Sequence, residues 1–515
     1  MEELRLSDHY SLMFDETTDC SVREQMTLRA RYIDSSGDIK VKFLKIIDCL
    51  TGRITLDAKT VSDHVIQFIE DHELSYSRLR GIGTDGASTM TGRINGAVKR
   101  IQTKQLEAQR DQDEALPCEA VGCHCAAHKL NLASQQAGDG SYLPKFKDIV
   151  RQLYDFYDNS AVRSAGLLAV QKLLECPERK VIQPSSTRWL SLGNAVLRLK
   201  DILPSVITSL GREAEERGNA AAAGLYQFLS NYQFICTLLL LSDVLPKVNI
   251  LSKVFQLTSL DFSRAIRLRK SIVSQLEKLK SVDGDNLKAL DEFIKNLEES
   301  GIEIKYQRGM RQDSSSRMES KARFVKDVKG PFLDKLVANI NDRFVDSGVF
   351  EAFSIFEPEM LRIGDGLEDD DTNYGDDHVK VLIERFGGYP VEDALVEWAV
   401  FKQYFDDHLE MVNGKTATAT EILEKLCSDA GLRGVFPIIT SLAACYRVLP
   451  PHTADCERDF SQMKIIKTYL RNRMSQPTLD GLMRLVIEGP SVGEFPFDRA
   501  VKMWANQKNR RLKLD

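Results

Sequence analysis

The sequence predicts an α/β core, an open five-stranded sheet in the order 3-2-1-4-5, interrupted by a large all-α insertion. Three observations predict it. Three strand-like segments follow one another within residues 10–50. From there to about residue 140, strand-like and helix-like segments alternate. From about 141 to 430 helical spacing takes over and strand patterns become scarce.

The elements run as follows. "YSLMF" (10–14) is a short apolar first strand. "QMTLRARYID" (25–34) alternates Met26, Leu28, Ala30 and Tyr32 with polar neighbours, the period of a strand. "VKFLKIIDCL" (41–50) is the third, reached through the turn "SSGD" (35–38). "TLDAKTVSDHVIQFIEDHE" (55–73) sets Val61, Val65, Ile66 and Ile69 on one helical face. "RLRGIGTDG" (78–86) is a short strand ending in Asp85 and Gly86. "STMTGRINGAVKRIQ" (88–102) is a helix with Ser88 as candidate N-cap. "EAVGCHC" (119–125) is a fifth strand, followed by a helix through "AAHKLNLASQQA". A three-strand meander followed by strands separated by helices describes an α/β RNase H-like core (strand order 3-2-1-4-5). In that order the first and fourth strands are neighbours, and ligands gather at such a switch point.

Residues 1–140 thus form the first part of the core and 141–430 the helical insertion. Residues 431–490 complete the core, and 491–515 form a basic tail. Within the insertion, "FICTLLLLSDVLPKV" is broken by Asp243, Pro246 and Lys247 and reads as a buried helix, not a membrane span. The Ser-rich stretch 308–321 and the acidic stretch 364–378 read as solvated loops. After Pro450 and Pro451, "TADCERDFSQMKIIKTYLRNRM" has helical spacing. A further helix begins near Thr478, its candidate N-cap.

The N-terminus, "MEELRLSDHY", is charged and carries no apolar signal region. Ten scattered cysteines, several in apolar runs, imply reduced intracellular thiols rather than a disulfide framework. A net charge of −6 argues against a protein that coats nucleic acid, yet a global sum hides patches. One patch is evident: residues 460–479 hold Lys464, Lys467, Arg471 and Arg473 and no acid.

The stretch "YSLMFDETTDC" (10–20) runs an apolar strand into a knot of acids. Topology sets Asp15, at the end of the first strand, beside Asp85, at the end of the fourth. Glu457, opening a basic helix, is the third acid. Chemistry at a phosphodiester uses two divalent cations held about 4 Å apart by carboxylates. Mg²⁺ or Mn²⁺ takes hard oxygen ligands and keeps several waters, so three acids suffice. Each residue has a plainer reading. Asp15 alone is more often a turn acid, and Glu457 alone pairs with Arg458 or Lys464 on a helix face. Glu16, Asp19, Asp455 and Asp459 read as surface acids. Cys123, His124, Cys125 and His128 crowd into six residues, without the two spaced ligand pairs of a structural zinc site. Cys125 and His128 therefore read as structural residues near the acids.

Several blocks resemble the hAT-family transposases. They are "FDETTDCSVREQMTLRARYID", "GIGTDGASTMTG", "CHCAAHKLNL", "SSTRWLSL" and "LPPHTADCERDFSQMKIIKTYLRNRMSQPTLDGLMRL", together spanning roughly residues 10 to 490. The resemblance implies DDE chemistry with Asp15, Asp85 and Glu457 holding two metal ions. It also implies DNA as partner, a C-terminal dimerisation region, a homodimer or higher oligomer, and a nuclear location. Trp189 corresponds to an aromatic that stacks on an unpaired base, with Arg188 beside it. In the plainer reading Trp189 is a core residue. Lys464, Lys467, Arg471 and Arg473 face phosphate, or else form a solvated face. Family members usually begin with a BED-type zinc finger, and no matching Cys and His pattern precedes Asp15, so DNA binding is expected to be weak and non-specific. Two functions follow: an intact metal-dependent DNA strand transferase, or a domesticated scaffold that keeps the fold and cuts nothing.

Overall fold

The computed structural model describes residues 1–52, 55–92, 95–184, 192–257, 262–306, 314–344, 348–358, 375–408, 411–412 and 415–506. The chain divides into two compact units. One joins Met1–Cys125 to Gly348–Asp515, and the other is Ala126–Ser347.

The first unit is built on five strands: β1 (Tyr10–Thr18), β2 (Glu24–Ile33), β3 (Ile39–Asp48), β4 (Leu79–Thr84) and β5 (Val121–His124). Their order is β3-β2-β1-β4-β5. β2 is antiparallel to β1 and β3, whereas β4 runs parallel to β1 and β5. This is the RNase H-like sheet with its helical insertion.

Side chains alternate across the sheet. Tyr10, Leu12, Phe14, Leu28, Ala30, Leu79 and Ile82 pack under α1 (Ala58–Asp71) and α2 (Ala97–Asp111), which supply Val61, Val65, Phe68, Ile69, Val98 and Ile101. The Asp57 side chain caps α1 by accepting from Thr60 N. The opposite face carries Ser11, Met13, Thr27, Arg29, Arg31, Gly81 and Gly83. It is covered from the far end of the chain by α3 (Pro437–Val448) and α4 (Ala454–Ile466).

The edge strand β3 is closed by α5 (Gln476–Glu488). Asp480 Oδ1 accepts Ile46 N–H (3.0 Å) and Glu488 Oε1 accepts Phe43 N–H (2.8 Å). Phe43 and Ile46 also pack with Phe460, Met463, Ile466, Leu479 and Met483. An edge with unpaired N–H groups invites pairing with another chain, and a helix laid along it removes that opening.

The helices between Gly348 and Ser428, which helical period alone groups with the insertion, fall in the first unit. They brace α3 from behind: Phe353 meets Tyr446 edge-on with ring centroids 4.9 Å apart, and Phe401 meets Phe436 at 5.3 Å. Period says that a helix buries a face, not which core receives it.

Four local expectations are corrected. β1 continues to Thr18 because β2 pairs with it beyond the point where β4 stops. The helix expected over 88–102 is a single turn, Ser88–Thr91, and then α2, which starts at Ala97 after Gly96. The helix expected to run to Met474 ends at Ile466. α5 begins at Gln476, with Ser475 and not Thr478 at its N-cap position and Pro477 in its first turn.

The second unit is helical among its described residues. Its central helix, Tyr232–Val254, is long and apolar enough to cross a membrane. Most of it is buried in the unit's own core, among Phe146, Leu203, Ile207, Leu276 and Leu336. Of the two loop-like segments expected from sequence, residues 307–313 and 359–374 lie outside the described residues, and Ser314–Phe324 is a helix.

Candidate metal-dependent site

The site forms where β1 and β4 part. Their pairing ends at Met13 opposite Gly83, so Asp15 is two residues past the last β4 partner while still paired with Thr27 of β2. Asp85 follows the last residue of β4. Its carboxylate accepts Ala87 N–H (2.9 Å) and so shapes the turn. Gly86 completes that turn at φ +86, with the His124 ring against it. A Cβ there would lie 1.8 Å from the ring, so conformation and space both require glycine.

Glu457 is delivered by the C-terminal segment. Leu449 and Pro450 lie directly on β4, because a Cβ on Gly81 would sit 2.9 Å from Leu449 Cδ2 and one on Gly83 2.9 Å from Pro450 Cγ. Two residues past Glu457, Asp459 is buried against β2. It accepts from Arg29 Nε (2.7 Å) and Thr27 Oγ1 (2.8 Å), and Arg29 Nη2 bonds its other oxygen. Arg31 Nε donates to Arg447 O (2.9 Å) at the end of α3. Arg29 thus ties α4 to β2 two residues past Glu457, and Arg31 ties the end of α3.

Gly83→Ala is therefore expected to cost about 1–3 kcal/mol by forcing Pro450 off the strand. Gly224→Ala, on an open helix surface with nothing within 4 Å, is expected to be neutral or slightly stabilising. Urea unfolding checks both, and equal midpoints for the two variants would contradict the close approach.

Asp15 feels the charges of both other acids. Burial first, then the charge of Asp85 and more weakly those of Glu457 and Glu16, push the Asp15 carboxyl up to about 8. The hydrogen bond from Glu16 N–H pulls the other way. Burial and the charges of Asp85 and Glu24 likewise raise Glu16, whose Oε2 is buried without a hydrogen-bond partner. The Cys456 thiol is buried beside Asp15 and Asp459, and its pKa is raised by burial and by their charges.

Such a set favours whatever neutralises it. The donors are hard carboxylate oxygens, and Glu16 supplies one that is unmet, which fits Mg²⁺ or Mn²⁺ better than a softer metal. Among the described residues, no group of three or more His, Cys, Asp or Glu side chains is gathered closely enough to hold a metal ion. A cation that keeps most of its waters needs only one or two carboxylates.

The raised Asp15 pKa has a direct consequence without divalent metal. The folded carboxyl keeps its proton up to about pH 8, whereas the unfolded chain releases it near pH 4. Between those values the folded state binds more protons, so stability falls as pH rises. Asp15→Asn is expected to flatten that slope and to stabilise the metal-free protein above about pH 8, on the order of 2 kcal/mol. Thermal unfolding in chelator at several pH values reads this. Parallel pH profiles for the two proteins would contradict it.

The other residues singled out from sequence fall as follows. Lys464, Arg471 and Arg473 are exposed. Lys467 is not available to phosphate: it is buried, with its ammonium on the buried Asp19 carboxylate. Asp19, Asp455 and Asp459, read as surface acids, are all buried. Asp455 pairs with Arg458, and Glu16 is half-buried. Cys125 is buried and its N–H donates to Thr84 O (2.9 Å), one residue before Asp85. His128 is half-buried on the helix Ala126–Gly138 of the second unit. Arg188 and Trp189 lie outside the described residues.

Sequence reasoning missed Arg29, Arg31, Asp459 and Cys456. The signal was present: arginines at alternate positions of a central strand need carboxylate or carbonyl partners if that face is covered.

Residues 1–96, which carry β1 to β4 and the Asp85 turn, match the family model DUF4371, described as the ZMYM1/FAM200 RNase-like domain. That family is hAT-related and transposase-derived.

Proposed function

We propose that this chain is a hAT-type DDE transposase-like protein that cleaves and joins DNA with divalent metal, using Asp15, Asp85 and Glu457. The observation that carries the reading is electrostatic and topological together. Asp15 on β1 and Asp85 just past β4 belong to neighbouring strands of an RNase H-like sheet, and the charges of Asp85 and of Glu457, in the first turn of α4, both raise the pKa of Asp15. Two Mg²⁺ or Mn²⁺ ions, when bound, supply activation of an attacking oxygen and stabilisation of a leaving one. Asp15 and Asp85 are the ligands on rigid strand ends, and Glu457 is the ligand on α4. Arg29, through Asp459, holds α4 in register. Arg471 and Arg473 attract the backbone of DNA without reading its sequence.

The reading includes dimerisation through the C-terminal region and a nuclear location. Phe436, Ile438, Ile439, Leu442 and Leu479 are buried within the first unit, which leaves Leu485 and Val486 on the outer face of α5 exposed, at 47% and 53%. These two are the candidates for a contact with a second copy.

A second reading is a domesticated, catalytically silent scaffold. That no three acids among the described residues stand closely enough to hold a metal ion favours it. Plasmid nicking and strand joining by purified protein, with and without Mg²⁺ or Mn²⁺, separates the two. Absence of any metal-dependent product would leave the scaffold.

A further inference from the structure

We infer that the turn following α4, Tyr469–Met474, is a nucleic-acid tip that takes one unpaired base beside the cut; this rests on the DNA-cleaving reading above. Its apolar residues are displayed rather than buried. Leu470 is 98% exposed, Tyr469 79%, and Ile465 on the last turn of α4 70%. Around them stand Lys464, Arg471 and Arg473, all exposed, in a stretch without an acid from 460 to 479. Leu470, Arg471, Asn472, Arg473 and Met474 line an open cavity of about 360 Å³, within the size range of small-ligand sites.

The exposed Tyr469 ring beside that cavity, and within it apolar side chains, an amide and two guanidinium groups, are what an unpaired base needs. It stacks on Tyr469 or an arginine plane, offers its edge to Asn472, and leaves its phosphates to the cations.

The charge selects nucleic acid over a second copy. A two-fold contact through this tip would set its cations against themselves.

The tip is also anchored at the right edge. Lys467, immediately before it, is ion-paired with Asp19, and Cys20 Sγ donates to Lys467 O (3.4 Å). Asp19, the first residue past β1, is four residues from Asp15, at most about 13 Å at strand rise. That is about four nucleotides along a strand. The same hairpin presents Val22, 84% exposed and held at φ +60, a strained conformation for a β-branched residue.

The test is fluorescence anisotropy in chelator, with a short fluorescein-labelled duplex either blunt or carrying a single-stranded 3′ overhang. The expected result is about tenfold tighter binding of the overhang duplex. Tyr469→Ser and Leu470→Ser should abolish that preference and leave blunt-duplex affinity unchanged. Arg473→Ala should weaken both duplexes and reduce the salt slope by about 0.9. Because these side chains are exposed, thermal unfolding should not move.

Equal affinity for the two duplexes in wild type overturns the inference. So does an effect of Tyr469→Ser on oligomeric state, by light scattering, with none on DNA. Binding is read without metal, so a protein that never cleaves but keeps the overhang preference loses only the catalytic reading. One that cleaves but lacks the preference loses only the tip.

Discussion

Asp85→Asn is expected to abolish metal-dependent nicking and joining of DNA, a loss of at least about 10³-fold in rate, while DNA affinity in chelator stays at the wild-type level. The substitution keeps the size of the side chain and one acceptor oxygen, so the bond to Ala87 N–H and the Gly86 turn persist. It removes one of the charges that bind a hard cation. Metal stabilisation of attacking and leaving oxygens amounts to several kcal/mol, and each 1.36 kcal/mol is tenfold in rate. A loss confined to rate marks an interaction made in the transition state rather than in binding. Single-turnover cleavage and anisotropy on the same preparations read the two quantities. If wild type and variant behave alike in every DNA assay while both still dimerise, the transposase reading gives way to the scaffold.

Asp459→Ala is expected to be the most damaging substitution for stability, at about 3–5 kcal/mol. Asp459 is fully buried and answers both Arg29 and Thr27, so truncating it strands a guanidinium in the interior. The double variant Arg29→Met with Asp459→Leu should recover most of that loss, because the removed charge no longer needs a partner. It should not recover cleavage, since the register of α4, and with it Glu457, depends on the pair. Urea midpoints test the first statement and cleavage the second. A single-variant loss below about 1 kcal/mol would show that α4 is held by packing alone.

Much of this was legible in the sequence, for identifiable reasons. Strand order followed from a meander and two crossovers, because period and connection length are local properties. Asp15 and Asp85 were legible because topology alone makes their strands neighbours. Lys467 was misread because a basic run looks the same whether each residue meets water or a buried acid. Its partner Asp19 is more than 400 residues away in sequence, so no local pattern links them. Asp459 and Arg29 failed for the same reason. The alternation of β2 tells apolar from polar positions, not that α3 and α4 cover the polar face. A helix arriving from the far end of the chain leaves no mark on the strand except the polar residues chosen to meet it. The grouping of Gly348–Ser428 with the insertion failed because amphipathicity does not name its partner.

The sheet is finished late. More than 360 residues separate Asp85 from Glu457, and the helices that cover the second face of β1 and β2 come last. At about 5–20 residues per second, a ribosome that has made the first acid pair needs roughly half a minute to supply the third. Throughout that interval the nascent sheet carries Arg29 and Arg31 without their carboxylate and carbonyl, and β3 without the carboxylates of α5 on its edge. The protein therefore spends its synthesis with an open, pairing-prone strand, a state that calls for chaperone cover. Any product terminated before Ala454 has the acids of β1 and β4 without Glu457, so the proposed metal site would be gated by completion of translation itself.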